Sequence, residues 1–517
     1  MMTYNEYAWQ QVEQGVWQRS VDEIEQAYAV LSKLYEGSGR MFFAVTGHIS
    51  LSFDFIDSFD DGSDTRVDTA LRNAWLTLRH DHPTIASQVK HNVGTNSFAK
   101  WYRTIPTVAD QQAWLDQTFV KVSTNQTGSE WANSDPPAPE LPTLFVMTNP
   151  PIPQEENHPG LIRRDLILRS PHDVIDGIGT LLLLGNLVKL SSKAYNQGSS
   201  FQLPTFDDGS ELGNMSPPFR VAANIPKSLT ERQQKRLRHM AALKEQQLAS
   251  DIPLLLIPWK QEEVVPGKHQ RIALTLSQEK TSKLLHACSY IGVTVTHIFH
   301  AAIPIMMRDL QEKGPEQQKV RYVSYILRNE RGNCTEPYNS AKHPAALYHS
   351  GSGTSLLVDM TIPAAGSNNT LEQQQAESQE FFRVLLEMKK FYNDVRDDPE
   401  HLRLVPYYWA AGTRQLPPAV EEPLTVPPPS AQPSVSISSM GVVDKIIPPQ
   451  DGVISVSDPW VTGEELRNSL GFFLGTYRDQ LCLSAAYNNA WHTKQEVEKC
   501  LEMCMDIVFK GLKSYIF

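Results

Sequence analysis

The chain has 517 residues, 41% of them hydrophobic and 20% charged, a balance that excludes wholesale disorder and has room for several domains. It carries 47 Lys and Arg against 58 Asp and Glu, and the formal charge of −11 argues against nucleic acid as the main partner. Five cysteines, Cys288, Cys334, Cys482, Cys500 and Cys504, form no CxxC pair and no disulfide framework.

Apolar positions at three- and four-residue spacing predict a helix over 21–34, and RMFFAVTGHISLSFDF then alternates like a strand or hairpin. DTRVDTALRNAWLTLRHDHP predicts a helix opened by an aspartate cap and stopped by Pro83. At its end, His80-Asp81-His82 imitates a metal hook. Alternate residues at a helix end point apart, so a capping or surface role is expected there. The proline-rich stretch 133–159 contains the strand-like TLFVMT. A strand near 166–168, a turn and a long apolar helix follow. Residues 194–268 are polar and punctuated by Pro and Gly, and they read as a crossover with an exposed helix over the basic run 227–238.

The second half opens with the strand QRIALTLS, a helix stopped by Gly292, and another helix capped by Thr294 or Thr296. YVSYILRN reads as a strand and ESQEFFRVLLEMKKFYNDV as a helix. After the stiff linker PPAVEEPLTVPPPSAQP come the strands SVSISSMG and GFFLGTYRDQLCLSAAYN, then an amphipathic final helix on which Cys500 and Cys504 share a buried face. The expected class is α/β, with α+β mixed sheets in two similarly built domains: 1–200, a crossover at 201–268, and 269–517. The N-terminus lacks the apolar core of a signal peptide, and the apolar run near 178–188 is too short to span a bilayer. SYIF at the other end matches no sorting address, so a cytoplasmic protein is expected.

Most catalytic patterns are missing. Gly177, Gly179 and Gly185 do not make GxGxxG, and HSGSGTS at 349–355 lacks the GxSxG elbow. What carries chemistry is RSPHDVIDG at 169–177, between a strand and an apolar helix. A histidine leaving a strand end is held by rigid backbone, and its neutral imidazole takes a proton from an alcohol or amine that attacks a carbonyl. Asp176, four residues on, pins the turn, and Gly177 lets the helix start without steric conflict. On spacing alone, a histidine capping a buried helix fits equally well. Asp173 either raises the His172 pKa or faces solvent.

This segment resembles the HxxxDG signature of the chloramphenicol acetyltransferase-like superfamily, which includes the BAHD acyltransferases and peptide-synthetase condensation domains. LRHDHPTIAS, GVTVTHIFHAAIPIMM, YVSYILRNERGN and QLCLSAAYNNAWHTKQEVEKCLE resemble further family segments, and within the family the chain looks most like fungal trichothecene 15-O-acetyltransferases. The resemblance implies two chloramphenicol acetyltransferase-like domains with a tunnel between them. It implies that His172 is the general base and that acetyl-CoA or another acyl-CoA is the co-substrate. A small-molecule alcohol, terpenoid-like, is the implied acceptor. Asp176 is implied to be structural, paired with an arginine best matched by Arg328. SISSMG resembles the small polar stretch beside the reacting carbonyl, which makes Ser438 and Ser439 candidate oxyanion donors; a plain strand bend before Gly441 explains them as well. No metal is needed, since a thioester is already activated, and a monomer is expected. Pro171 stands where condensation domains carry a second histidine, and DFGWG is absent, so ester formation leads over peptide-bond formation. The alternatives are amide formation or cyclisation on the same fold, or a member that only binds a metabolite or partner.

Overall fold

The computed structural model describes residues 5–38, 44–54, 62–148, 150–151, 161–249, 251–260, 267–366, 371–416 and 426–516. Helix α1 (Glu23–Leu34) starts at a reciprocal cap, in which Asp22 accepts from the Glu25 amide and Glu25 accepts from the Asp22 amide. Strand β1 (Val45–Asp54) follows, then helix α2 (Ser63–Asp81). The cap of α2 is Gly62, not an aspartate; Asp64 instead lies in the first turn and pairs with Arg164. Strands β2 (Thr143–Met147) and β3 (Leu161–Ser170) lead to helix α3 (Gly177–Gln197). Leu181, Leu184, Leu187 and Val188 of α3 join Val67, Leu71 and Trp75 of α2 and Leu51 and Phe53 of β1 in one buried core. β3 is buried on both faces, so its burial does not alternate as an exposed-edge strand's would.

The later elements are strand β4 (His269–Thr275), helix α4 (Gln278–Tyr290) and helix α5 (Val295–Asp309), the last capped by Thr294. The segment expected as one strand, YVSYILRN, splits: Gln318–Ser324 pairs with Leu356–Ile362, while β5 (Leu327–Asn329) pairs with β6 (His349–Gly351). Helix α6 (His401–Gly412) precedes the proline linker, whose residues 417–425 lie outside the described ones. Strand β7 (Val435–Val442), β8 (Ile454–Gly463), β9 (Leu470–Tyr477), β10 (Gln480–Asn488) and helix α7 (Lys494–Gly511) complete the chain's principal elements. A second core gathers Leu284, Phe299, Met306, Leu483, Leu501 and Cys504.

The two main sheets do not divide at residue 269. One has four strands in the order β7-β9-β10-β4. The other has six, and two of them, Gln450–Asp451 and β8, come from late in the chain. β8 lies antiparallel to β1, with Gly463 opposite Val45 and Ile454 opposite Phe53. Strand pairing thus joins early and late segments of the chain in one sheet. Among the described residues no single helix is long and apolar enough to cross a membrane; α4 and α5 reach that threshold only together, bent by 95°.

The basic run expected on an exposed helix lies largely on Glu231–Leu248. Arg236 pairs with Asp398 and Glu400, and Lys227 with Glu6, so this run is a charge-matched surface far from free. At the junction of the sheets, Asn133 imitates a neighbouring strand. Its Nδ2 donates to the Arg271 carbonyl at 2.9 Å and its Oδ1 accepts from the Arg271 amide at 2.8 Å, which satisfies the free edge of β4. Asn133→Ala is expected to cost about 1–3 kcal/mol in denaturant unfolding, because it strands both backbone groups.

Candidate active site

β3 ends at Ser170, and Pro171, which has no amide hydrogen, begins the turn that the Val174 amide closes on the Pro171 carbonyl at 3.2 Å. Asp176 then caps α3 by accepting from the Gly179 amide at 2.7 Å. The same carboxylate accepts from Arg331 Nη1 at 2.8 and 2.9 Å and from the Tyr348 amide at 2.9 Å. Burial opposes ionisation of Asp176, but the Arg331 guanidinium and the His349 imidazole hold it well below the usual carboxylate range.

Three sequence expectations change here. The arginine that pairs with Asp176 is Arg331, not Arg328. β5 ends at Asn329, and Arg331 lies in the turn beyond it, turned inward and buried. Arg328 donates to the Val395 carbonyl at 2.8 Å and stands 3.3 Å from Glu330. Gly177 is not the sterically required glycine. A Cβ there would meet nothing nearer than Met440 Sδ at 3.6 Å, whereas a Cβ on Gly179 would lie 2.2 Å from the Pro344 carbonyl oxygen and 2.8 Å from Arg331 Nη2. Asp173 does not face solvent. It is buried, and burial pushes its carboxyl up to about 6 against the pull of Lys100, whose ammonium donates to the Asp173 carbonyl oxygen at 2.8 Å.

His172 is buried and lies flat on Tyr28, ring centroids 4.0 Å apart and planes within 9°. The Tyr28 hydroxyl lies 2.9 Å from His349 Nε2, and His349 Nδ1 is 3.7 Å from Asp176 Oδ2. Burial, then the nearby His349, lower the His172 pKa to about 3, against its backbone hydrogen bonds and the Asp176 charge. The imidazole is therefore neutral at physiological pH, with its nitrogen lone pair unprotonated. Asp173 is not among the groups that move it.

A cavity of about 450 Å³ opens beside this cluster, and both halves of the chain wall it. His172, Tyr28, Tyr325, Trp409, Ser438 and Ser439 all line it, with the Trp409 ring 5.5 Å from that of Tyr28. Neither serine hydroxyl makes a hydrogen bond among the described residues, so both donors are available. The His80–His82 pair is pulled apart: His80 Nε2 meets Ser210 Oγ at 3.1 Å, while His82 is buried with Nδ1 3.0 Å from the Lys342 carbonyl. Tyr28 and His349 escaped the sequence reading. Tyr28 sits among core residues of an amphipathic helix, and in HSGSGTS the serines carry the motif-like spacing while the histidine, which carries none, is the residue beside Asp176.

Gly179→Ala is expected to lower stability by about 1–3 kcal/mol through overpacking, with Gly177→Ala near wild type in thermal midpoint. Arg331→Leu, which leaves the Asp176 charge buried and unpaired, is expected to cost about 3–5 kcal/mol. His172, lowered to about 3, together with His82, lowered by burial to about 4, stays neutral in the folded chain while the unfolded chain protonates below about 6.5. Stability contributed by these groups is present above that value and falls as pH drops towards 4. Between pH 7 and pH 5 the denaturation midpoint of His82→Gln is expected to fall less than that of wild type, a difference that separates the histidine contribution from carboxyls such as Asp173 that gain protons in the same window.

No family model matches the sequence. The chain is 22% identical over 511 residues to the acetyltransferase pigO of Monascus ruber, covering 98% of both, and 24% identical to O-acetyltransferase pigM of the same fungus, covering 98% of this chain and 90% of pigM. Its structure matches the TRI3 trichothecene 15-O-acetyltransferase of Fusarium sporotrichioides with a TM-score of 0.76 at 16% identity, over 99% of each chain. Over 99% of its length the chain therefore shares the fold of that structure.

Proposed function

We propose that the chain is an acyl-CoA-dependent O-acyltransferase of fungal secondary metabolism, with His172 as general base. The observation that carries this reading is a neutral, ring-clamped imidazole on the wall of a cavity built by both halves. The similarity to proteins named as acetyltransferases supports the same reaction. Acetyl transfer to a terpenoid-like hydroxyl is the specific form proposed.

The acyl-CoA supplies an activated carbonyl. His172 takes the proton of the acceptor hydroxyl, whose oxygen then attacks that carbonyl, and the proton passes on to the departing thiol. Ser438 and Ser439 line the same cavity and offer hydroxyl donors to the negative charge that develops on the carbonyl oxygen. Asp176 stays ionised on Arg331 and acts through the backbone it holds, not as a proton acceptor. The stack on Tyr28 fixes the plane of the base, so less reorientation separates the resting ring from the reacting one. Both walls come from one chain, which fits a monomer, and five free cysteines fit a reducing cytoplasm.

The test is thiol release from acetyl-CoA with terpenoid alcohols, with the product identified by mass. Wild type is expected to give an acetylated alcohol, and His172→Ala to turn over at least about 10²-fold more slowly. Undiminished release in the folded variant would remove His172 as the base. Tyr28→Leu is expected to lower kcat more than Tyr28→Phe, which retains the ring stack.

A further inference from the structure

Two adjacent glutamates follow β8 and meet different fates. Glu464 is buried beneath the sheet junction, its carboxylate 3.5 Å from Arg169 Nη2. Glu465 turns the other way and lines the 450 Å³ cavity. Its amide donates to His269 Nδ1 at 3.1 Å, which anchors the backbone and leaves the side chain directed inward. Space is made for that carboxyl by Gly471, where a Cβ would come within 3.0 Å of Glu465 Oε1. Among the described residues, the carboxyl makes no hydrogen bond within the protein.

Its surroundings are largely apolar. The Tyr325 ring is 47% exposed and Leu327 38% exposed, and both line the same cavity, unlike core residues that the fold itself covers. The charged and titratable groups facing Glu465 are Arg467 from its own loop, Tyr35 at the end of α1, Tyr325 before β5, and the His269 ring at its backbone. Arg414 lies near Tyr35 as well. Burial pushes the Glu465 carboxyl up to about 8, with Arg467 pulling against it. A shift in that direction favours the neutral acid, and a neutral acid donates a hydrogen bond that a carboxylate cannot.

We propose that Glu465 is a substrate-binding residue whose carboxyl donates to a neutral oxygen, a carbonyl or ether, of a molecule packed against Tyr325. This rests on the acyl-transfer reading. That chemistry occurs in two substrates of such a reaction: an oxygenated terpenoid acceptor and the amide carbonyls of the CoA arm. A ligand lacking the oxygen leaves a half-buried donor unpaired once the cavity is filled, so the contact selects as well as binds.

The experiment measures binding by quenching of tryptophan fluorescence, Trp409 being in the cavity wall. The probes are acetyl-CoA and a 15-hydroxytrichothecene, each titrated into full-length wild type, Glu465→Leu and Glu465→Gln. Glu465→Leu is expected to weaken one probe about tenfold, and Glu465→Gln, whose amide still donates, to stay within about threefold of wild type. The probe that weakens identifies the source of the oxygen. In wild type its Kd is expected to rise about tenfold between pH 7 and pH 9 as the acid ionises; in Glu465→Gln it stays flat. Unchanged binding of both probes to the leucine variant would overturn the proposal. So would equal weakening by both variants at an unchanged thermal midpoint, since that would mean the charge or volume matters and not the donor. Failure of the acyl-transfer reading is a separate result: wild type binds the probes and releases no thiol.

Discussion

One buried carboxylate holds the site together. Asp176 gathers the first turn of α3, the Arg331 guanidinium and the Tyr348 amide, so groups more than a hundred residues apart in sequence converge on two oxygens. A buried ion pair gains little over a well-packed apolar replacement, because desolvating both charges offsets most of their attraction. What it adds here is register. The Arg331 guanidinium also reaches the Pro344 and Ala346 carbonyls, and the small space it occupies explains why position 179 tolerates only glycine without something moving. Conformational specificity, not net stability, is the return on burying these charges.

That register places the base, and a second layer keeps it oriented. Tyr28 lies against one face of His172 and passes its hydroxyl to His349, which in turn stands beside Asp176. The imidazole is thereby fixed by stacking on one side and by the capped turn on the other. Below this layer Lys100 braces the loop from beneath, donating both to the Asp173 carbonyl and to Glu25, which also binds Arg19. A loop that would otherwise be free to breathe is tied by charge-assisted bonds, which are stronger than neutral ones.

Much of this was legible in the sequence. The HxxxDG spacing marked His172 and Asp176, the periodicities located α1, α2, α3, α5 and α7, and SISSMG came to line the cavity. What stayed hidden depends on tertiary contact. Two arginines three residues apart, Arg328 and Arg331, look alike in a strand-like segment; only where the strand ends decides which turns inward. Tyr28 carries no motif, and its position facing His172 arises from packing of α1 against a segment over a hundred residues later. The late strand β8 was invisible because ISVSDPWVTG is interrupted by Asp458 and Pro459, where the register against β1 shifts and Asp458 takes a positive φ of 47°.

That strand has a further consequence, for how the chain comes to be folded. His48 and Asp458 are bonded across 410 residues of sequence, so the six-stranded sheet draws on both ends of the polypeptide. A nascent chain leaving the ribosome presents β1 with one edge unpaired until residues 454–463 have emerged. Loop closure of that length makes the pairing a late event, and a truncated product ending before residue 450 carries an open, largely buried-type strand edge into solution. Four of the six strands lie before residue 171 and pair with one another, but the sheet is complete only once residues 450–463 have joined it.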